Sequence, residues 1–126
     1  MEIALFLQAR EGLANAHAPY SGHKVGAAVL TQCGCIYNGG NVESSSSKCS
    51  ICAETFVMSK AVLSKRIPII LCVVSMHDEI VTPCGFCRQF LVDFPDLNVI
   101  LFNSNGMKRN AFTVTELMPN PYIRKR

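Results

Sequence analysis

Three features of the chain predict an α/β sandwich built on a mixed sheet. Apolar stretches too short for helices, at residues 25–30, 69–74 and 98–102, read as buried strands. A glycine turn and a returning strand follow the first of them at once. Segments with helical apolar spacing precede and separate the later two. A hairpin followed by helix-separated strands calls for both antiparallel and parallel neighbours, with helices on the faces of the sheet.

Residues 2–16 place Ile3, Phe6, Leu7, Leu13 and Ala14 near a 3.6-residue spacing, opposite Gln8, Arg10, Glu11 and Asn15. That predicts an amphipathic helix with the first set turned inward. Pro19-Tyr20-Ser21-Gly22 ends it. Residues 25–30 are apolar on both faces, as in a central strand; Gly34 turns the chain and residues 35–42 return. The serine run at 44–47 is a loop leading into a helix from Cys52 to about Ser64, with Phe56, Val57, Ala61 and Val62 facing the core. After the strand at 69–74, Pro83 opens a third helix whose buried stripe is Phe90, Leu91 and Phe94, and Pro95 closes it. A strand at 98–102 is followed by the turn Asn103-Ser104-Asn105-Gly106, and residues 111–114 fit a short last strand. No repeat or linker interrupts the chain, so residues 1–126 are expected to form one domain.

A chain of 126 residues with 49% hydrophobic content can bury a single core. Its net charge of +3, from 12 basic and 9 acidic residues, is too mild and too scattered for a nucleic-acid surface. The basic end, Arg124-Lys125-Arg126, reads as a solvated tail. The start, Met1-Glu2-Ile3-Ala4, is unlike a secretory leader, and the longest apolar run is too short to cross a membrane. Seven cysteines in such a chain suggest a metal or free thiols in a reducing, cytoplasmic setting.

The chemistry concentrates in two segments, Cys52-Ala53-Glu54-Thr55 and Pro83-Cys84-Gly85-Phe86-Cys87-Arg88. Thiols at i and i+3 of a first helical turn point the same way. With Cys52 they make three thiolates, which leave a fourth position of a zinc ion open to water, as a hydrolytic metal site requires. A helix start also favours thiolate. Glu54, two residues from Cys52, is placed to handle protons beside the metal. A competing reading adds Cys49 to make a closed four-cysteine structural site, a binding module without hydrolysis. Cys33, Cys35, Cys49 and Cys72 otherwise read as turn or core residues, and His17 and His77 as surface groups.

Cys52-x-Glu54 followed by Pro83-Cys84-x-x-Cys87 resembles the signature of the cytidine deaminase family of zinc-dependent nucleoside deaminases. The likeness runs from about Tyr20 to Tyr122. It includes Tyr20-Ser21-x-x-x-Val25-Gly26-Ala27-Ala28, Asn41-Val42-Glu43 and Thr113-Val114-x-Glu116-Leu117-Met118-Pro119. The resemblance implies a three-layer α/β/α sandwich, a homotetramer, and hydrolytic deamination of cytidine and 2′-deoxycytidine with release of ammonia. It also implies the roles: zinc on Cys52, Cys84 and Cys87; Glu54 as proton shuttle; the Ala53 backbone N–H on the base carbonyl. Asn41 and Glu43 would bind the ribose, His23 would sit beside the base, and Tyr122 would pack on a neighbouring subunit's pyrimidine. Its substrate is a small nucleoside, with no nucleic acid or membrane as partner.

Four positions depart from the family pattern. His23 stands for a phenylalanine, Thr55 for an arginine that offsets the thiolate charge, and Ser44 and Ser47 for an asparagine and an aromatic near the ribose. Arg88 is left as the charge-balancing candidate. These changes leave room for a modified cytosine nucleoside of the blasticidin kind, although the carboxylate of Glu43 speaks for a plain ribose.

Overall fold

The computed structural model describes residues 1–125, so Arg126 of the expected solvated tail lies outside the described residues. The elements in order are α1 (Glu2–Ala14), β1 (Val25–Thr31), β2 (Ile36–Gly40), a 3-10 turn (Ser47–Cys49) and α2 (Ala53–Leu63). They continue with β3 (Pro68–Ser75), α3 (Gly85–Leu91), β4 (Asn98–Phe102), β5 (Arg109–Thr113) and α4 (Val114–Leu117). The sheet runs β2-β1-β3-β4-β5. β1 is antiparallel to both β2 and β3, β3 is parallel to β4, and β5 closes the far edge antiparallel to β4. The mixed sheet is therefore as expected.

Each face of the sheet carries its own core. On one side Leu5 and Ala9 of α1 cover Ala28, Leu30, Cys72, Val74, Ile100 and Phe102. On the other, Val57, Met58 and Ala61 of α2, Leu91 of α3 and Val114 and Leu117 of α4 cover the alternate residues, Ala27, Val29, Leu71, Val73, Val99 and Leu101. Central strands wet on neither face must be apolar at every position, which is what these strands show. The result is three layers, α/β/α. Among the described residues no helix is long and apolar enough to cross a membrane.

The first helix presents only part of the face its large side chains predicted: Phe6 and Leu13 pack partly against the core, but Ile3, Leu7 and Ala14 are exposed. Leu5, Ala9 and Gly12 are buried, whereas Ile3 is 76% and Leu7 56% exposed. The cause is a close approach. A Cβ on Gly12 would run into the Gly39 carbonyl, and one on Gly26 into the Ala9 carbonyl. Small residues bring the helix backbone onto the hairpin, so they, not the bulkiest side chains, choose the face. In α2, Val57 and Ala61 are buried as expected, but Phe56 and Val62 stand at the surface. Of the predicted stripe in and after α3, Leu91 alone is fully buried, with Phe90 and Phe94 packed partly against the core. The last strand begins and ends earlier than expected, because Thr113 caps α4 with a reciprocal Thr113–Glu116 box.

Candidate active site

Both cysteine segments meet helix starts at one end of the central strands, beside the start of β1 and the end of β3. Cys52 is the N-cap of α2 and Cys84 the N-cap of α3, each in extended conformation. The helices thus begin one residue after Cys52 and two after Pro83, not at them. Neither cap accepts a side-chain hydrogen bond of the Ser or Asp kind. Cys87 falls in the first turn of α3 and is fully buried. The approach to Cys52 is fixed by Val42 and Ile51, which exchange backbone hydrogen bonds of 2.9 and 2.8 Å.

The three sulfurs lie within 4.8 Å of one another, and Cys52 Sγ is 3.8 Å from Cys84 Sγ. A tetrahedral zinc with Zn–S bonds of about 2.3 Å sets sulfur–sulfur edges of about 3.8 Å. The donor set therefore fits zinc in both chemistry and spacing. Three sulfurs this close cannot ionise independently. Cys52 is lowered to about 6, first by its hydrogen bond from Cys87, while Cys87 is pushed up, first by that same bond and then by burial. A divalent cation is what allows all three to be thiolates at once. Cys49 is exposed in the 3-10 turn and is not part of the cluster among the described residues, which removes the fourth ligand of a closed structural site.

Beside the sulfurs is a cavity of about 190 Å³ lined by His23, Asn41, Ala53, Glu54, Cys52 and Cys84, among others. Glu54 is 6% exposed, and burial raises its carboxyl to about 7, partly opposed by its own backbone N–H and added to by Cys52. A carboxyl poised there can hold or release a proton near neutral pH. Asn41 spends both ends of its amide on the walls: Oδ1 accepts from the Val25 N–H at 2.9 Å and Nδ2 donates to the His23 carbonyl at 2.9 Å.

Glu43 and Tyr122 are not among the lining residues. Glu43 instead holds the turn before β1, accepting from the N–H groups of Tyr20 and Ser21 at 3.0 and 3.1 Å and from the Ser21 hydroxyl. Tyr122 is 73% exposed, and its backbone pairs with Gln89 of α3 through bonds of 2.8 and 3.3 Å. It flanks an apolar groove with Val62 and Phe90. Thr55 is buried and donates to the Cys52 carbonyl at 3.1 Å, so it braces the metal segment and balances no charge. Arg88 donates to the carbonyls of Pro83 at 2.8 Å and Leu117 at 3.1 Å, which ties the second cysteine segment to α4.

His77, read as a surface group, is exposed as expected, but it contacts His23. Its Nε2 is 2.8 Å from His23 Nδ1, with ring centroids 4.8 Å apart and planes inclined by 26°. A nitrogen–nitrogen contact that short between near-coplanar rings means they meet edge to edge. The backbone of His77 is in turn held by the Ser75 hydroxyl at 3.2 Å and the Ser104 N–H at 2.9 Å. Only a second histidine at position 23 hinted at such a pair, and 54 residues separate them.

The sequence pattern of the family described as "Cytidine and deoxycytidylate deaminase zinc-binding region" matches residues 2–103. This chain belongs to that family. A cytidine deaminase of Halalkalibacterium halodurans is 37% identical over 119 residues, covering 92% of this deaminase-family chain and 87% of the relative. A Dictyostelium discoideum protein named "Probable cytidine deaminase" is 47% identical over 87 residues, 68% of this chain, which spans 59% of that relative's length. The crystal structure of cytidine deaminase from Burkholderia pseudomallei superposes with a TM-score of 0.91 at 31% identity, covering 97% of this chain and 99% of the other. The three-layer sandwich of this deaminase-family chain is thus a known one.

Proposed function

We propose that this chain hydrolyses the 4-amino group of cytidine and 2′-deoxycytidine, yielding uridine or 2′-deoxyuridine and ammonia. The observation that carries the reading is the meeting of a buried, neutral-range carboxyl and a three-thiol cluster beside one small cavity. Cys52, Cys84 and Cys87 would hold zinc, which would supply a Lewis acid able to draw a proton from water near neutral pH. The Glu54 carboxylate takes that proton and delivers it to N3 of the base, which makes C4 electrophilic. The water oxygen bonds to C4, Glu54 carries the proton of the resulting C4 hydroxyl to the exocyclic amine, and the C4–N bond breaks, leaving a C4 carbonyl and releasing ammonia. The apolar walls, including Val25 and Val73, exclude bulk water from that exchange.

The Ala53 N–H, at the free start of α2, is suited to hold the base carbonyl oxygen. His23 flanks the base, and Asn41 and Glu43 shape the ribose end, Glu43 by ordering the Tyr20–Ser21 turn. Tyr122, exposed and outside its own chain's cavity, is suited to reach a neighbour's site in a homotetramer. Residues 1–126 act as one domain in this reading, in a cytoplasmic nucleoside salvage role that suits thiols needing to stay reduced. Ammonia release from cytidine and 2′-deoxycytidine, wild type beside Glu54→Gln with zinc assayed on both, tests it. Turnover by the wild type, and a loss of about 10²–10⁴-fold in a variant that retains zinc, is the expected outcome. Zinc binding without turnover of either nucleoside would overturn the substrate, and point to modified cytosine nucleosides.

A further inference from the structure

At the opposite end of the sheet from the cavity, a second cysteine stands among groups that stabilise its anion. We infer that Cys33 is a reactive thiol that captures anionic low-molecular-weight disulfides at a basic cavity between the β1–β2 turn and the end of α2. The placement rests on strand register. β1 pairs with β3 from Val25↔Ser75, at the cavity holding Glu54, to Thr31↔Pro68 at the other end. Six strand steps separate the two ends by about 20 Å.

Cys33 sits in a tight turn closed by the Gly34 N–H to the Thr31 carbonyl at 2.9 Å, with Gly34 at φ +93°. Its thiol is exposed. The Arg66 guanidinium donates to Cys33 Sγ at 2.7 Å, and Thr31 Oγ1 lies 3.4 Å from the same sulfur. The Gln32 N–H to the Ile67 carbonyl, 2.7 Å, fastens the turn to the segment carrying Arg66. Between them opens a cavity of about 360 Å³ lined by Gln32, Cys33, Ser64, Lys65, Arg66 and Ile67. An exposed sulfur, a guanidinium bonded to it and a lysine on the same wall form a nucleophile with an anion-attracting rim. The hydrogen bonds from Thr31, the Cys35 backbone and Arg66 lower the thiol to about 6.

Cys35 shares the turn but is half-buried, and the remaining thiols lack this setting. Cys72 is buried, and Cys52, Cys84 and Cys87 are engaged as the zinc set. Cys49 is equally exposed, yet among the described residues no hydrogen bond reaches its sulfur. In the reaction the Cys33 thiolate attacks one sulfur of RS–SR. The Cys33 S–SR bond forms as the RS–SR bond breaks, and RS⁻ leaves with the electron pair. No further oxidant is required, since the disulfide is the oxidant.

The test uses zinc-loaded protein, the dianionic disulfide 5,5′-dithiobis(2-nitrobenzoate) at pH 5.5, and peptide mapping of the adduct. A thiol near 6 outruns an ordinary one by about ten-fold at that pH, after allowing for its weaker intrinsic nucleophilicity. Cys33 should therefore be labelled first, about ten-fold faster than Cys49. Arg66→Gln, at an exposed position, should slow Cys33 several-fold, and added salt should slow the anionic probe more than the neutral 2,2′-dithiodipyridine. Glutathione disulfide should give one adduct per chain, absent in Cys33→Ser. Labelling of Cys49 or Cys35 before Cys33, or a Cys33 rate indifferent to Arg66→Gln, overturns the inference.

Discussion

Two carboxyl groups, Glu54 in the cavity wall and Glu43 outside it, sit in opposite environments. Burial pushes Glu54 up to about 7, whereas hydrogen bonds led by the Ser21 hydroxyl hold Glu43 below the usual range. Because the folded chain keeps Glu43 more acidic than the unfolded one, its contribution is complete above the ordinary carboxylate value. It is lost as pH falls through the lowered one. The Tyr20 and Ser21 amide resonances should therefore titrate together below pH 4.5, and Glu43→Gln should abolish that transition. The histidine pair makes a separate prediction. Removing the His77 partner forfeits a hydrogen bond of about 1 kcal/mol, or about five-fold. His77→Ala should raise KM for cytidine by about that factor and leave kcat nearly unchanged. In a His23→Phe background the same change should do nothing, since His77 acts on the cavity through His23.

At the scale of elements, the contact of α1 with the hairpin reverses an ordinary expectation. Gly to Ala inside a helix usually stabilises by about 1 kcal/mol. At Gly12 the added methyl meets the Gly39 carbonyl, so Gly12→Ala should instead destabilise by about 1–3 kcal/mol, read from urea unfolding. The same contact explains what was legible in the sequence. Strands β1, β3 and β4 announced themselves through unbroken apolar runs, because a central strand buries every side chain. That Cys52, Cys84, Cys87 and Glu54 would meet was legible because metal chemistry fixes residue type and spacing within short segments. The face of α1 was not, since Ala9 and Gly12 carry almost no apolar signal while the exposed Ile3 and Leu7 carry a strong one. The His23–His77 contact was hidden for another reason: it depends on two loops brought together only by the sheet.

For the whole molecule, the three-thiol set joins the start of α2 to the start of α3, with β3 between them in the chain. An ion bound by the folded arrangement and not by the unfolded one adds its binding energy to stability. Chelation of zinc should lower the melting temperature by more than 10 °C, and restoring zinc should recover it. Cys87→Ser, which removes the buried ligand, should melt at the chelated value and respond little to added zinc.

The glycine seam between α1 and the hairpin also bears on how such a chain can change over generations. Where two backbones touch, there is no side chain to trim and no space to fill. A substitution at Gly12 or Gly26 cannot be rescued by a complementary one across the contact, because the partner is a carbonyl group that every residue has. Drift in this part of the protein is therefore channelled to the outer side of α1, where Ile3 and Leu7 can be exchanged freely as far as this chain's own packing is concerned.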